Sequence, residues 1–177
     1  MTKPRVATAW LDGCSGCHMS LLDVDERLVE LAGRIELVYG PLVDAKEFPE
    51  NVDVAIVEGA VATDADREKI RLIRQRSRIL VSLGDCAVTG NVPSMRNAIP
   101  LDELFDRAFR ENVDLQPQRP TQGLPVLMDQ VRPINEVVKV DVFVPGCPPP
   151  AEAIWFVLTE LLEGRTPDAS ALTRFGK

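Results

Sequence analysis

The sequence is poor in several residue types, and each shortage excludes a class of protein. It has 177 residues but only one histidine, one tyrosine and four cysteines. No run is long and apolar enough to cross a bilayer, so we expect no transmembrane segment. The first residues, MTKPRVATAWLDG, contain no apolar signal core, twin arginine or cleavage site. We therefore expect the protein to stay in the cytoplasm.

Positive charge is also scarce. The chain has 20 Lys plus Arg against 27 Asp plus Glu, a formal net charge of −7. Because no basic stripe marks a phosphate-binding surface, we expect no nucleic-acid partner. Hydrophobic residues make up 45% of the chain, which is enough for the core of one domain. No repeat or linker divides the sequence, so we predict a single domain over residues 1–177.

Short apolar runs rich in Val and Ile alternate with helical patterns. The predicted strands cover residues 5–11, 34–39, 52–57, 78–83 and 139–144. The first predicted helix follows an apolar stripe from Leu21 to Leu31 and ends at Gly33. The other predicted helices cover 64–76, with Thr63 as the N-cap, 101–111, and 151–163, with Gly164 as the stop. The alternation predicts an α/β fold, a flavodoxin-like doubly wound parallel sheet of about five strands with helices on both faces.

The four cysteines are the most informative residues. Cys14 and Cys17 follow the first predicted strand, Cys86 the fourth and Cys147 the fifth. The carboxyl ends of parallel strands share one edge of the sheet, where ligands bind in open α/β folds. Thiols are not expected to pair as disulfides in a reducing cytoplasm, whereas a C-x-x-C pair plus two cysteines suits a four-thiolate metal site. These residues alone leave structural zinc and an iron–sulfur cluster open.

Residues beside the cysteines are predicted to surround the metal. Gly13 and Gly16 bracket the first pair, Gly84 precedes Asp85-Cys86, and Gly146 precedes Cys147. We expect these glycines to permit positive φ and close approach, so that amide groups point at cluster sulfurs. The run that begins at Pro148 suits the first turn of a helix and stiffens the last ligand loop.

Four other residues are expected at the same edge of the sheet as the cysteines. Glu58 and Asp85 are acids of the kind that satisfy amides at helix starts. His18 follows Cys17 directly, and we expect a local hydrogen bond or a partner contact rather than metal ligation. Trp10, at a strand end, is predicted to be core. The irregular segment 113–135 is long enough to serve as a docking surface for a partner.

Four segments, WLDGCSGCHMSLLD, EGAV, GDCAVTGNVPSMRN and VDVFVPGCPPPAEAIW, together resemble the small subunit of nickel–iron hydrogenases. The resemblance covers nearly the whole chain and is nearest to the short form of soluble, bidirectional NAD-reducing hydrogenases. It implies that Cys14, Cys17, Cys86 and Cys147 hold one proximal 4Fe–4S cluster and that Glu58 and Gly59 belong to its surroundings. It also implies that the cluster relays electrons during reversible H2 oxidation.

The same resemblance implies partners. The nickel–iron centre is expected on the hydrogenase large subunit, and FMN and NAD on iron–sulfur and flavin subunits of a diaphorase. The chain is then part of a hydrogen dehydrogenase, with no catalytic residue of its own and no activity alone. Two departures stand out: many relatives continue into a domain with two further clusters, and many have Glu where this chain has Gly13.

Three rival functions are compatible with the sequence. A cluster-bearing subunit of an NADH:quinone oxidoreductase shares the Pro-Gly-Cys-Pro-Pro ending, but those subunits resemble one another in having adjacent cysteines where Ser15-Gly16 intervenes here. An F420- or ferredoxin-linked hydrogenase would differ in its partners. A zinc-stabilised interaction module would carry no cluster. FMN on this chain is not predicted, because no Ser/Thr-rich phosphate loop follows the first strand.

Overall fold

The computed structural model describes residues 2–176, and these build a central parallel sheet. Its strands are β1 (Arg5–Trp10), β2 (Glu36–Tyr39), β3 (Val52–Glu58), β5 (Ser77–Leu83) and β7 (Val142–Val144), while β4 (Val61–Thr63) and β6 (Leu127–Arg132) form a separate antiparallel pair. The central order is β2-β1-β3-β5-β7, with every pairing parallel. Counted along the chain this is the order 2-1-3-4-5 of flavodoxin-like folds, so the predicted fold class is confirmed.

Helices cover both faces of the sheet. They are α1 (Gly16–Leu22), α2 (Arg27–Arg34), α3 (Asp64–Arg76), α4 (Asp85–Thr89), α5 (Leu101–Asp106) and α6 (Ala151–Leu162). Successive strand residues point to opposite faces, so Ile56 packs with Ile154 of α6 and Val57 packs with Ile70 of α3. Two apolar layers therefore sandwich the sheet, and the carboxyl ends of its strands stay open at one edge.

The helix predicted from Leu21 to Gly33 is wrong in its extent. A turn over residues 23–26 separates α1 from α2, and Asp25 takes a left-handed φ of 54°. Aspartate side chains compete with helical backbone bonding, which explains why this acidic segment breaks the helix. Val24 lies in the turn and is buried, so the apolar residues keep a helical spacing along the sequence even where the helix is interrupted. Gly33 does not stop α2, which continues to Arg34.

The segment predicted to be irregular, 113–135, contains a strand. β6 pairs antiparallel with β4, and the side chain of Asn97 accepts from Val131 N–H at 2.7 Å and donates to its carbonyl at 2.9 Å. The sequence signal was weak because β4 has only three residues and prolines lie on either side of β6. A 3₁₀ turn over Ile134–Glu136 follows.

Both predicted helix boundaries at Thr63 and Gly164 are confirmed. Thr63 accepts the N–H of Asp66, whose carboxylate accepts the N–H of Thr63 in return, a reciprocal cap at the start of α3. Gly164 has φ +75° just after α6. The predicted helix 101–111 is α5 followed by a π-helical turn over Arg107–Glu111. In the part of the chain that the structure describes, no helix has the length and apolarity to cross a membrane.

Candidate metal centre

The four cysteines lie at the carboxyl edge of the central sheet. Cys14 follows β1, Cys17 is the second residue of α1, Cys86 the second residue of α4, and Cys147 follows β7. Cys14 and Cys147 are exposed, whereas Cys17 and Cys86 are partly buried, and all four are free thiols. The strand order brings these positions together, because β1, β5 and β7 end at the same edge.

The loops that carry the cysteines touch one another. A Cβ built on Gly84 would lie 2.2 Å from Cys17 Sγ, so the Cys17 thiol rests against the turn that precedes Cys86. The backbone of that turn bonds to the last cysteine loop, with Gly84 N–H donating to Val144 O at 2.8 Å and Asp85 N–H to Gly146 O at 2.9 Å. The turns that carry Cys14 and Cys17, Cys86, and Cys147 therefore lie side by side at this edge of the sheet. We call them the cysteine rim.

The first cysteine loop also packs against the turn after β3. A short backbone ladder joins Asp12 and Ala60, with N···O distances of 3.0 and 2.7 Å. A Cβ built on Gly13 would lie 3.3 Å from the α-carbon of Gly59. Gly59 itself has φ +83°, and a Cβ there would lie 2.8 Å from Asp12 O. The two glycines allow this close backbone approach.

Glu58, the last residue of β3, reaches the first cysteine helix. Its side chain is 3% exposed. Oε2 accepts the backbone N–H of Cys17 at 3.0 Å, and Oε1 lies 2.6 Å from Nδ1 of His18. The carboxylate therefore fixes the position of a predicted ligand through its backbone and holds the neighbouring imidazole.

His18 bonds to Glu58, 40 residues away in the sequence, rather than to a local group, and Trp10 is not core. The Trp10 ring is 45% exposed, lies edge-on to His18 with centroids 6.0 Å apart, and carries the Lys69 ammonium 5.3 Å above it. Both aromatic residues line an apolar cavity of about 480 Å³ between β1, β2 and α1, which Met19 and Leu22 also border. Apolar surface is thus exposed next to the cysteine rim.

The thiols of Cys17 and Cys86 are affected by their burial and by the other cysteines. Burial raises the pKa of the Cys17 thiol well above its usual range, and nearby Glu58, Cys86 and Cys14 raise it further. Burial also raises the pKa of Cys86 to about 11, and Cys147 and Cys14 add to the effect. Thiolates brought together at this edge would need positive charge nearby to offset their repulsion.

The expectation that the rim amides point at cluster sulfurs is wrong for the amides whose partners the structure gives. Cys17 N–H donates to Glu58, Gly84 N–H to Val144 O, and Gly146 N–H to the Asp85 carboxylate. Positive φ occurs at Gly59, Gly84 and Gly146, but the first loop uses Ser15, with φ 63°, rather than Gly13 or Gly16. A Cβ built on Gly16 would lie 3.2 Å from Cys14 Sγ, so Gly16 provides space beside that thiol.

The prediction that Pro148 lies in the first turn of a helix is wrong. The peptide bond between Cys147 and Pro148 is cis, and α6 begins only at Ala151 with Pro150 as its N-cap. The run of prolines is therefore a loop that separates the last cysteine from the helix. Pro149 O accepts the hydroxyl of Ser20 at 2.5 Å, which fastens this loop to α1.

Sequence reasoning missed two polar contacts at the rim. The Asn91 amide nitrogen lies 3.5 Å from Cys147 Sγ, and Asp85 bonds to distant backbone rather than to its own helix. Within residues 2–176, no three His, Cys, Asp or Glu side chains lie close enough together to bind a single metal ion. A cubane cluster makes a different demand, because each of four cysteines binds an iron at a separate corner.

The strand order and the cysteine rim together define a flavodoxin-like α/β domain that presents four thiols at one edge of its sheet. The chain belongs to the family described as "NADH ubiquinone oxidoreductase, 20 Kd subunit", whose model matches residues 14–161. Within it, the chain is homologous to hydrogenase small subunits, which confirms the resemblance seen in the sequence.

Two relatives illustrate the range of this similarity. Over 98% of its length, the chain is 38% identical to the NAD-reducing hydrogenase HoxS subunit delta of Cupriavidus necator, of which it covers 86%. Over 92% of its length, it is 37% identical to a subunit of the vhu F420-non-reducing hydrogenase of Methanocaldococcus jannaschii. The chain spans only 57% of that longer relative.

A solved structure matches more completely. It is a chain of an NAD+-reducing [NiFe]-hydrogenase in the H2-reduced state, with a TM-score of 0.93 and 42% sequence identity. The match covers 98% of this chain and 99% of the other. At that level of identity and coverage, the two chains share their length and fold as well as their family.

Proposed function

We propose that this chain is the electron-transfer small subunit of an NAD-reducing nickel–iron hydrogenase of the cytoplasm. In this proposal Cys14, Cys17, Cys86 and Cys147 bind one 4Fe–4S cluster. The observation that carries it is the near full-length match to a chain of an NAD+-reducing enzyme, combined with four free thiols at one sheet edge. Residues 1–177 form one domain in this proposal.

The cysteine rim fits an iron–sulfur cluster in its donors and in its space. Four thiols are the ligand set of such clusters, and Gly84 leaves room for Cys17 that a side chain would fill. When bound, the cluster would accept and pass on single electrons between the nickel–iron site and the diaphorase. Glu58 orients Cys17, and the Gly84–Asp85 backbone ties Cys86 to the Cys147 loop.

Partners are needed on both sides of such a relay. We place the nickel–iron centre on a large subunit, and FMN and NAD on iron–sulfur and flavin subunits of a diaphorase. Cys14 and Cys147 are exposed, and so are Trp10 and Met19 beside them. An exposed redox site with apolar surface around it is suited to burial against another subunit. Residues 113–135, which include β6, remain a predicted docking segment.

The electron acceptor is the least constrained part of the proposal. Relatives named for NAD-reducing and for F420-non-reducing hydrogenases match this chain at nearly equal identity, 38% and 37%. The solved chain of an NAD+-reducing enzyme favours the first, since it matches at 42% identity with a TM-score of 0.93. The rival functions are a quinone-reductase subunit and a zinc-stabilised module, and metal analysis distinguishes both of them from a hydrogenase subunit.

The first experiment is metal and acid-labile sulfide analysis of anaerobically purified chain together with the subunits that co-purify with it. We expect at least four iron and four sulfide for this chain, with nickel in proportion to a larger partner. Hydrogen-dependent reduction of NAD by the same preparation would identify the acceptor.

Different results would change the assignment. Iron and sulfide without nickel would favour a quinone-reductase subunit, and hydrogen oxidation without NAD reduction would favour a different acceptor. One zinc per chain without sulfide would mean a structural module, and the hydrogenase proposal would fall.

A further inference from the structure

Asp85 stands between the two cysteine loops that are farthest from the N-terminus. It precedes Cys86 directly and is only 5% exposed. Its backbone N–H donates to Gly146 O at 2.9 Å, and its Oδ1 accepts the N–H of Gly146 at 2.7 Å. Two reciprocal hydrogen bonds thus join the residue before Cys86 to the residue before Cys147.

The second carboxylate oxygen of Asp85 reaches the end of the chain. Oδ2 accepts the N–H of Gly176 at 2.8 Å. In the same segment, Thr173 is 8% exposed and its hydroxyl donates to the carbonyl of Pro145. Residues 173–176, which we call the C-terminal strap, therefore hold the Pro145–Gly146 backbone directly and through Asp85.

The contacts of Asp85 are not those of an ordinary helix cap. An acid in the first turn of a helix normally accepts amides of that same helix. The two oxygens of Asp85 instead bind residues 61 and 91 positions away. A buried carboxylate whose two oxygens both accept N–H groups of distant backbone segments fixes the relative position of those segments.

We propose that Asp85 is a positioning residue for Cys147 and that the C-terminal strap is the second part of the same clamp. This inference rests on the proposed 4Fe–4S cluster. Its ligand Cys147 lies on an exposed loop, and the clamp supplies the rigidity that a ligand needs to stay at one corner of a cluster. Because Asp85 directly precedes the predicted ligand Cys86, its carboxylate would also favour the oxidised form of a bound cluster.

Two variants separate the two parts of the clamp. Asp85→Asn keeps the shape, but it removes the charge and leaves one oxygen for two N–H donors. Thr173→Val removes one hydrogen bond and no charge. Asp141→Asn is the matched control, because Asp141 also accepts a backbone N–H of a neighbouring strand, that of Leu80 at 2.9 Å, but at the opposite end of β7.

The experiment measures two properties of the chain in its anaerobically purified complex. The first is the rate at which an iron chelator removes the cluster, and the second is the midpoint potential of its electron paramagnetic resonance signal. The signal belonging to this chain is the one that is lost in Cys86→Ala. We expect Asp85→Asn to lose the cluster on the order of ten- to a hundred-fold faster and to show a higher potential.

Thr173→Val should lose the cluster roughly two- to ten-fold faster at an unchanged potential. Asp141→Asn should match the wild type in both properties. Wild-type rates and potential in a folded Asp85→Asn protein would overturn the inference. If Asp85→Asn does not fold, an unchanged rate in Thr173→Val overturns it instead. A wild-type chain without iron and sulfide would show that the proposed function itself is wrong.

Discussion

The Sγ atom of Cys17 lies directly against the α-carbon of Gly84, at a place where a Cβ would be 2.2 Å from the sulfur. Gly84 also has φ +83°. Gly84, in the turn before Cys86, thus limits the space that is available to the thiol of Cys17. Few positions in the rim have such a small tolerance for a side chain.

We therefore expect Gly84→Ala to displace the Cys17 thiol and to lose most of the cluster. The backbone strain alone should cost about 1–3 kcal/mol, because Gly84 has φ 83° and ψ 160°, a conformation that is essentially restricted to glycine. Gly123→Ala is the control, since Gly123 has φ +72° but nothing within 4 Å of its Cβ position. Iron content after anaerobic purification is the measurement. Equal iron in both variants would show that the contact at Gly84 has no influence on the site.

Glu58 is expected to set the properties of the cluster through its charge. Glu58→Gln keeps the volume but removes a buried negative charge that accepts the Cys17 N–H, so the midpoint potential should rise. Stability should fall by about 2 kcal/mol, the scale of a hydrogen bond to a charged group. A redox titration and a denaturant titration test the two effects.

The matched control for Glu58 is Glu50→Gln. Glu50 is an exposed partner of Arg76, with 64% of its side chain accessible, so its loss should change neither quantity. If Glu58→Gln keeps the wild-type potential, the carboxylate serves only to hold His18 and the helix.

Cys86→Ala should remove one ligand of the proposed cluster and abolish the transfer of electrons from hydrogen to NAD. Its iron and sulfide should fall by about four each relative to the wild-type complex. Val88→Ala shortens a partly buried side chain in the same helix and should keep the full cluster. Wild-type coupling in the Cys86 variant would exclude that residue as a ligand.

The cluster-free chain should show two classes of thiol. Cys14 and Cys147 are exposed and should react with iodoacetamide first at pH 8. The raised pKa of Cys86, about 11, leaves roughly a hundred-fold less of the reactive thiolate below pH 9 than an ordinary cysteine has. Its alkylation rate should increase until about pH 11. Mass spectrometry of timed samples measures the order, and faster labelling of Cys86 would contradict it.

The sequence was sufficient for the features that depend on local pattern. Short apolar runs rich in Val and Ile located the five central strands, Thr63 and Gly164 marked helix ends by their capping chemistry, and the cysteines followed three of the strands. Because parallel strands have a common direction, their carboxyl ends meet at one edge whatever the details of packing. The family resemblance came from the same cysteine turns.

Several elements could not be predicted because they depend on long-range contacts. The β4–β6 pair joins segments more than sixty residues apart, of which β4 has only three residues and β6 is flanked by prolines. The break at Asp25 depends on one residue in a left-handed conformation inside an otherwise helical stretch. Trp10 has a typical core composition around it, yet the sheet places it at an open edge.

The sequence by itself determined the family, the parallel sheet and the four thiols, since these follow from residue type and spacing along the chain. Only the tertiary structure decided how the thiols are held. The bonds of Glu58 to Cys17 and of Asp85 to Gly146 and Gly176 join residues 41, 61 and 91 positions apart. No local pattern records such partners, because a buried carboxylate takes whichever backbone amides folding brings within hydrogen-bond distance.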